Sequence, residues 1–196
     1  MEVGCEGGRW SKLLADLGWN LICTDIDPDS LKVCQSRVPA ARCVQVSPDA
    51  AVLPAETSAL DLLLCLEVFP VIESDWFPAE SYRVLRPGGT LVGVFLNRHS
   101  LRGLVGHYLT EPFQKNSVFR HYNHSYGRWK AGLRKTGFDV TYEYGYCWAP
   151  FTRQSNSPFV SLFIRFERAF QLWRLPELSP WIVFNARKRP IGAGGK

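Results

Sequence analysis

The stretch Glu2-Val3-Gly4-Cys5-Glu6-Gly7-Gly8 decides how this chain is read. An apolar strand residue runs directly into glycines, which let the backbone turn tightly and come close to a ligand. The next apolar run ends in Cys23-Thr24-Asp25-Ile26-Asp27-Pro28. A carboxylate closing a second strand is placed to accept hydrogen bonds from ribose hydroxyls. Glycine turn and acid together read as a cradle for a nucleotide or nucleoside.

Working outward, residues 1–97 alternate short apolar runs with helical patterns, as a parallel sheet with crossover helices does. Trp10, Leu13, Leu14 and Leu17 recur at helical spacing until Gly18 stops the helix. Trp19 to Thr24 is a strand, and Pro28 opens a helix over 29–38 with Leu31, Cys34 and Val38 on one side. Further strands are expected at 42–46, 60–66 and 90–96, with a helix over 75–85. The run Leu60-Asp61-Leu62-Leu63-Leu64-Cys65-Leu66 suits a central strand covered on both faces.

The second half differs. Residues 98–124 have weak periodicity and contain all four histidines, His99, His107, His121 and His124, as an irregular cap would. Ser125 caps a helix through Thr136 with Tyr126, Trp129 and Leu133 on one face, and Gly137 ends it. A strand is expected over 138–146 and a last one over 181–186. Between them Phe159, Leu162, Phe163, Phe166, Phe170 and Trp173 form one helical stripe opposite Arg165, Arg168 and Gln171. That stripe is expected to pack on the core or wall a substrate pocket; a membrane-surface helix is the alternative. One domain over 1–187 follows, with substrate-side insertions at 98–124 and 147–179 and a flexible basic tail at 188–196.

A chain of 196 residues with 46% apolar content has enough material for one core. Its six cysteines lack C-x-x-C spacing and read as reduced core residues. No metal site is expected, because His121-x-x-His124 has no further ligand at suitable spacing. Residues 98–196 carry 16 Lys/Arg against 5 Asp/Glu, whereas residues 1–97 carry 7 against 13. A basic half can meet nucleic acid, an anionic membrane surface or an acidic substrate, or simply be solvated. No apolar run approaches the roughly 20 residues of a membrane span, and the start lacks the order of a signal peptide, so a soluble, cytoplasmic protein is expected.

Taken together, these motifs resemble the class I S-adenosylmethionine-dependent methyltransferases, of the methyltransferase type 11 kind. Glu2, Gly4 and Gly8 match the family's first motif, which surrounds the methionine moiety, and Asp25 matches its ribose-binding acid. Asp49-Ala50-Ala51-Val52-Leu53-Pro54 resembles the segment that grips the adenine edge, and Leu60-Asp61 opens the fourth-strand motif. Arg83-Val84-Leu85-Arg86-Pro87-Gly88-Gly89-Thr90-Leu91, the most specific match, resembles the turn into strand five.

The resemblance implies an α/β fold: a Rossmann-like seven-stranded, mostly parallel sheet with helices on both faces and an antiparallel last strand. It implies S-adenosylmethionine as cofactor, held by Glu2, Gly4, Cys5, Gly8, Asp25, Ile26, Asp49, Ala50 and Leu66. Two positions depart from the pattern. Glu6 stands where the family has its middle glycine, and the family's usual helix and strand residues before the first motif do not precede Met1, so the chain is expected to be truncated there. The function implied is methyl transfer to a small-molecule or lipid-like acceptor, with release of S-adenosylhomocysteine. A base is needed only if the acceptor must lose a proton, and His99, His107, His121, His124, Glu67 and Tyr126 all remain candidates. The alternative is a non-catalytic relative that binds a nucleoside or a partner. Nucleic-acid methylation ranks below both, since no nucleic-acid-binding motif is present. Oligomeric state is left open.

Overall fold

The central strand β1 is only Glu2–Val3, yet it pairs in parallel with β2 (Ile22–Asp25) on one side and β4 (Leu60–Cys65) on the other. The computed structural model describes residues 1–104, 124–148 and 156–190. Strand β3 (Arg42–Gln45) lies outside β2, and β5 (Leu85–Leu96) outside β4. The sheet is completed by β7 (Trp181–Lys188), antiparallel to β5, and β6 (Phe138–Tyr146), antiparallel to β7. The seven strands therefore run in the order β3-β2-β1-β4-β5-β7-β6, with β7 alone reversed. Between β1 and β4 the order of connection switches direction, which is where open α/β sheets leave a crevice.

Adjacent strand residues point to opposite faces, and two cores result. One contains Val3, Leu63, Leu91, Phe95 and Phe184, covered by α3 (Phe69–Ile72), α4 (Phe77–Val84) and α5 (Tyr126–Thr136). The other contains Cys5, Leu21, Cys23, Leu31, Cys34 and Val38, between the sheet and helices α1 (Arg9–Asp16) and α2 (Pro28–Arg37). The six cysteines are free thiols, three of them in this second core.

Local signals explain most boundaries. Asp27 caps α2 by accepting from the Asp29 and Ser30 amides, with Pro28 in the first turn. Ser125 accepts from the Arg128 amide at the start of α5, and Gly137 closes that helix at φ 111°.

Several expectations are corrected. The helix expected over 75–85 is preceded by the short α3, where Pro70 occupies the first turn. The turn Arg86-Pro87-Gly88-Gly89 lies within β5 as a bulge, because Leu60 pairs with Leu85 and Leu62 already with Thr90. The stripe Trp10, Leu13, Leu17 of α1 faces solvent; the helix instead buries Ser11 and packs Leu14 and Ala15 on the second core. Helix α6 (Phe159–Ala169) buries no residue, so its stripe does not pack on the core. Strand β7 continues through Lys188, whose buried ammonium donates to the carbonyls of Tyr82 (2.6 Å) and Leu85 (2.7 Å). The tail expected from 188 thus begins later; residues 191–196, most of the 98–124 cap and part of the 147–179 insertion lie outside the described residues. No helix among the described residues is long and apolar enough to cross a membrane.

A charged cluster ties α5 to the far edge of the sheet. Lys130 donates to Glu143 on β6 at 3.0 Å and to Glu177 at 3.1 Å, and lies 5.4 Å from the centre of the Tyr126 ring. Lys130 is largely buried, Glu177 largely exposed. Removing the cation strands a partly buried carboxylate, with the loss moderated by solvent at Glu177. Lys130→Ala is expected to lower stability by about 2 kcal/mol in urea unfolding; a change within a few tenths would mean the cluster contributes nothing.

Candidate functional site

The crevice is built from the loops that follow β1, β2, β3 and β4. After Val3 the chain alternates into left-handed backbone at Gly4 (φ 65°), Glu6 (φ 45°) and Gly8 (φ 71°). Gly4 has a second reason to be glycine: a Cβ there would lie 2.5 Å from the Val68 side chain. At Gly8, the residue that starts α1, a Cβ would lie 2.7 Å from Cys34 Sγ, so the loop presses against α2.

Glu6 takes the left-handed conformation itself, so the loop is not displaced by one residue to use Gly7. Left-handed backbone costs a non-glycine residue about 1–2 kcal/mol, partly offset by glycine's larger entropy loss. Glu6→Gly is expected to stabilise the fold by about 0.5–1 kcal/mol, a rise in Tm of about 1–4 °C by calorimetry. An unchanged or lower Tm would mean that Glu6 is not strained.

Asp25, at the end of β2, joins the loop to the next helix. Its Oδ2 accepts from the Glu6 amide at 2.8 Å and its Oδ1 from the Asp27 amide at 3.0 Å. The residue is 9% exposed. Two carboxylate oxygens offer about four acceptor positions, so one on each oxygen remains for a ligand diol. Ile26 beside it is 55% exposed, and its carbonyl accepts from Gln45 Nε2 at 3.2 Å.

Glu2 occupies a different place from the crevice mouth. Its carboxylate is buried beneath the loop, where Ser11 Oγ donates to it, and Ser11 in turn accepts from Cys23 Sγ at 3.3 Å. Burial pushes the Glu2 carboxyl up to about 7, against the lowering effect of the Ser11 hydrogen bond. Cys5 is likewise buried in the second core, its backbone amide bonded to the Thr24 carbonyl at 2.9 Å.

Asp49 and Ala50 stand on the loop after β3, folded back on Ser47: the Asp49 amide donates to Ser47 Oγ at 3.3 Å and the Ala50 amide to the Ser47 carbonyl at 3.0 Å. Asp49 is exposed. Leu66 follows β4 and is half-buried; next to it Glu67 is exposed at φ 59°. Gly4, Gly8, Asp25, Ile26, Asp49, Ala50 and Leu66 thus lie at the carboxyl edge of four neighbouring strands, with Glu2 and Cys5 below the loop.

Of the base candidates, Tyr126 is corrected: its side chain is fully buried against Phe95 and Trp129, and burial drives its hydroxyl far above the ordinary phenol range. It is a core residue. His99 and His124 are exposed and adjacent in the fold, since the Arg98 amide donates to the His124 carbonyl at 3.0 Å. His124 also lines a groove with Glu73, Asp75, Arg128 and Trp129. His107 and His121 lie outside the described residues. Among the described residues no cluster of three His, Cys, Asp or Glu is arranged for a metal ion.

Sequence reasoning missed Asn97. It is 1% exposed at the end of β5, where its Oδ1 accepts from the amides of His99 (3.2 Å) and Tyr126 (3.1 Å) and its Nδ2 donates to the Glu177 carbonyl (2.7 Å). It holds the His99 segment against α5. A lone polar residue directly after the apolar run 91–96 was the available signal. Ser11, Gln45 and Ser47 were missed too, because a serine or glutamine on a helix or strand end has no motif of its own.

This strand order and this crevice define the class I methyltransferase fold, and residues 1–93 match the sequence model of the methyltransferase domain family. The fold of the chain is that of the class I S-adenosylmethionine-dependent methyltransferases. A curated relative, an uncharacterized methyltransferase-like protein of Schizosaccharomyces pombe, is 30% identical over 92 residues, 46% of this chain and 35% of that protein. The chain thus spans about a third of that relative's length. A solved S-adenosylmethionine-dependent methyltransferase of Thermotoga maritima, a possible histamine N-methyltransferase, aligns over 96% of this chain and 81% of its own at 18% identity and TM-score 0.60. Phosphoethanolamine N-methyltransferase 2 of Haemonchus contortus, solved with S-adenosyl-L-methionine, aligns over 96% and 48% at 17% identity and TM-score 0.62. These two likenesses concern the fold.

Proposed function

We propose that this protein binds S-adenosylmethionine in the crevice between β1 and β4 and transfers its methyl group to a small-molecule or lipid-like acceptor. The observation that carries the reading is Asp25, a nearly buried carboxylate held by two amides and left with acceptor capacity beside a left-handed glycine turn. The residues fit the cofactor. The left-handed turn at Gly4 and Gly8 suits a loop closing over the methionine half, Asp25 suits the ribose diol, and Asp49 with the Ala50 amide suits the adenine edge.

When bound, the cofactor supplies a methyl carbon activated by the adjacent sulfonium. The chemistry it would supply is an in-line displacement at that carbon, with the carbon–sulfur electron pair leaving on sulfur. The chain's part is to hold and orient, which accounts for much of the rate of such a displacement. Among the described residues, His99, His124 and Glu67, exposed beyond β4 and β5, are the candidates to take a proton from a hydroxyl or ammonium acceptor. Two fold neighbours bear the names of enzymes with small amine acceptors, which supports a small molecule over nucleic acid.

The second reading, a non-catalytic nucleoside-binding relative, is favoured by one observation, the carboxylate of Glu6 in the cofactor turn. Calorimetric titration with S-adenosylmethionine and S-adenosylhomocysteine tests the cofactor site, and release of S-adenosylhomocysteine across a panel of amines, phenols and lipids tests transfer. Micromolar binding with acceptor-dependent release is expected. Binding without release across the panel would favour the non-catalytic reading, and no binding by a folded chain would remove both.

A further inference from the structure

Helix α6 turns its apolar side to solvent. Phe159, Leu162, Phe166 and Phe170 recur along one side, each more than half exposed, at 59, 60, 51 and 63%. The half-buried positions are Val160 and Glu167, on a different side. The helix is attached through the turn Leu172–Arg174, where Trp173 stacks on Tyr144 at 6.5 Å. Burying one such side chain is worth roughly 1.5–3 kcal/mol, and soluble monomers rarely leave so many together.

Charge says what covers this face. At helical spacing Arg165 flanks this apolar side and Arg168 lies behind it, Arg174 follows the helix, and Glu167 is its one acid. The surrounding half of the chain has 16 Lys/Arg against 5 Asp/Glu. Two copies meeting here would bring like charge together, whereas an anionic lipid surface offers apolar chains for the rings and phosphates for the arginines. Eleven residues are too few to span a bilayer but enough to lie in its surface.

The position agrees. The segment carrying α6 leaves the sheet at Tyr146 and re-enters at Trp181, and these two residues pair with each other beside Leu96. That is the carboxyl edge of the parallel strands, the edge that carries the glycine loop and Asp25. We propose that α6 docks the protein on an anionic phospholipid surface with Phe159, Leu162, Phe166 and Phe170 inserted at the headgroup boundary. A lipid-like acceptor would then meet the crevice from the membrane side. That last point rests on the methyltransferase reading; the docking does not.

The test is co-sedimentation of the full chain with vesicles of phosphatidylcholine, and with an equal mixture of phosphatidylcholine and phosphatidylglycerol. Binding to the mixed vesicles that weakens with salt, and binding to neutral vesicles lower by about tenfold or more, are expected. Leu162→Glu with Phe166→Glu should lower binding by about tenfold or more while circular dichroism, Tm and lipid-free cofactor titration stay unchanged. Arg165→Glu with Arg168→Glu should remove the preference for phosphatidylglycerol. A wild-type chain that leaves both vesicles unbound overturns the proposal, as does either variant binding like wild type. A dimer in analytical ultracentrifugation that the Leu162/Phe166 variant dissociates would give the face to a second copy instead. Cofactor titration without lipid separates these failures from a failure of the methyltransferase reading.

Discussion

Replacing Asp25 by asparagine is expected to weaken S-adenosylmethionine binding by about a hundredfold or more. Hydrogen bonds to a charged group contribute about 1.5–3 kcal/mol each, a ribose diol can make two, and about 2.7 kcal/mol is a hundredfold. Asparagine keeps one acceptor oxygen for the Glu6 or Asp27 amide but sets a donor against the other. The loop is therefore loosened as well as stripped of charge. Calorimetric titration reads the affinity, with circular dichroism to show the fold intact. Binding within threefold of wild type would place the ribose elsewhere and remove the central argument for the crevice.

The second large effect lies beneath the loop. Burial pushes the Glu2 carboxyl up to about 7 from an ordinary 4.5. Between those values the folded protein keeps a proton that the unfolded chain has released, so stability falls as pH rises through this window and levels off above it. The shift corresponds to about 3 kcal/mol at most. Glu2→Gln keeps a partner for Ser11 and cannot ionise. It is expected to match wild type near pH 4.5 and to exceed it by about 2–3 kcal/mol at pH 8 in denaturant unfolding. A difference that does not change with pH would show Glu2 charged throughout in the folded state.

The fold was largely legible because its signals are local. Pro28, Ser125 and Gly137 mark helix ends by their own chemistry, and alternation of strand and helix implies the parallel order. The seven-stranded sheet with one reversed strand follows from the family resemblance, and it is observed. Periodicity failed where it could not say which side faces inward. The apolar stripe of α1 lies outward because Ser11, on the other side, has to reach Glu2. Tyr126 was read as a candidate base because sequence shows a hydroxyl but not the rings of Phe95 and Trp129 around it. The acid after β2 was legible, yet its tie to the Glu6 amide was not, because that hydrogen bond joins segments 19 residues apart.

The brevity of β1 also bears on how the molecule opens. Strand β1 contributes only two residues to the sheet, so β3 and β2 are joined to β4 and β5 through very few rungs. Native-state hydrogen exchange is expected to show the amides of β2 and β3 opening at lower free energy than those of β5 and β7, as two cooperative units joined at such a seam would. A ligand held at once by the loop after β1, by Asp25 and by the end of β4 acts as a staple across that seam. Its binding would slow exchange well beyond the atoms it touches, so protection in β3 would report occupancy of a crevice that β3 only borders.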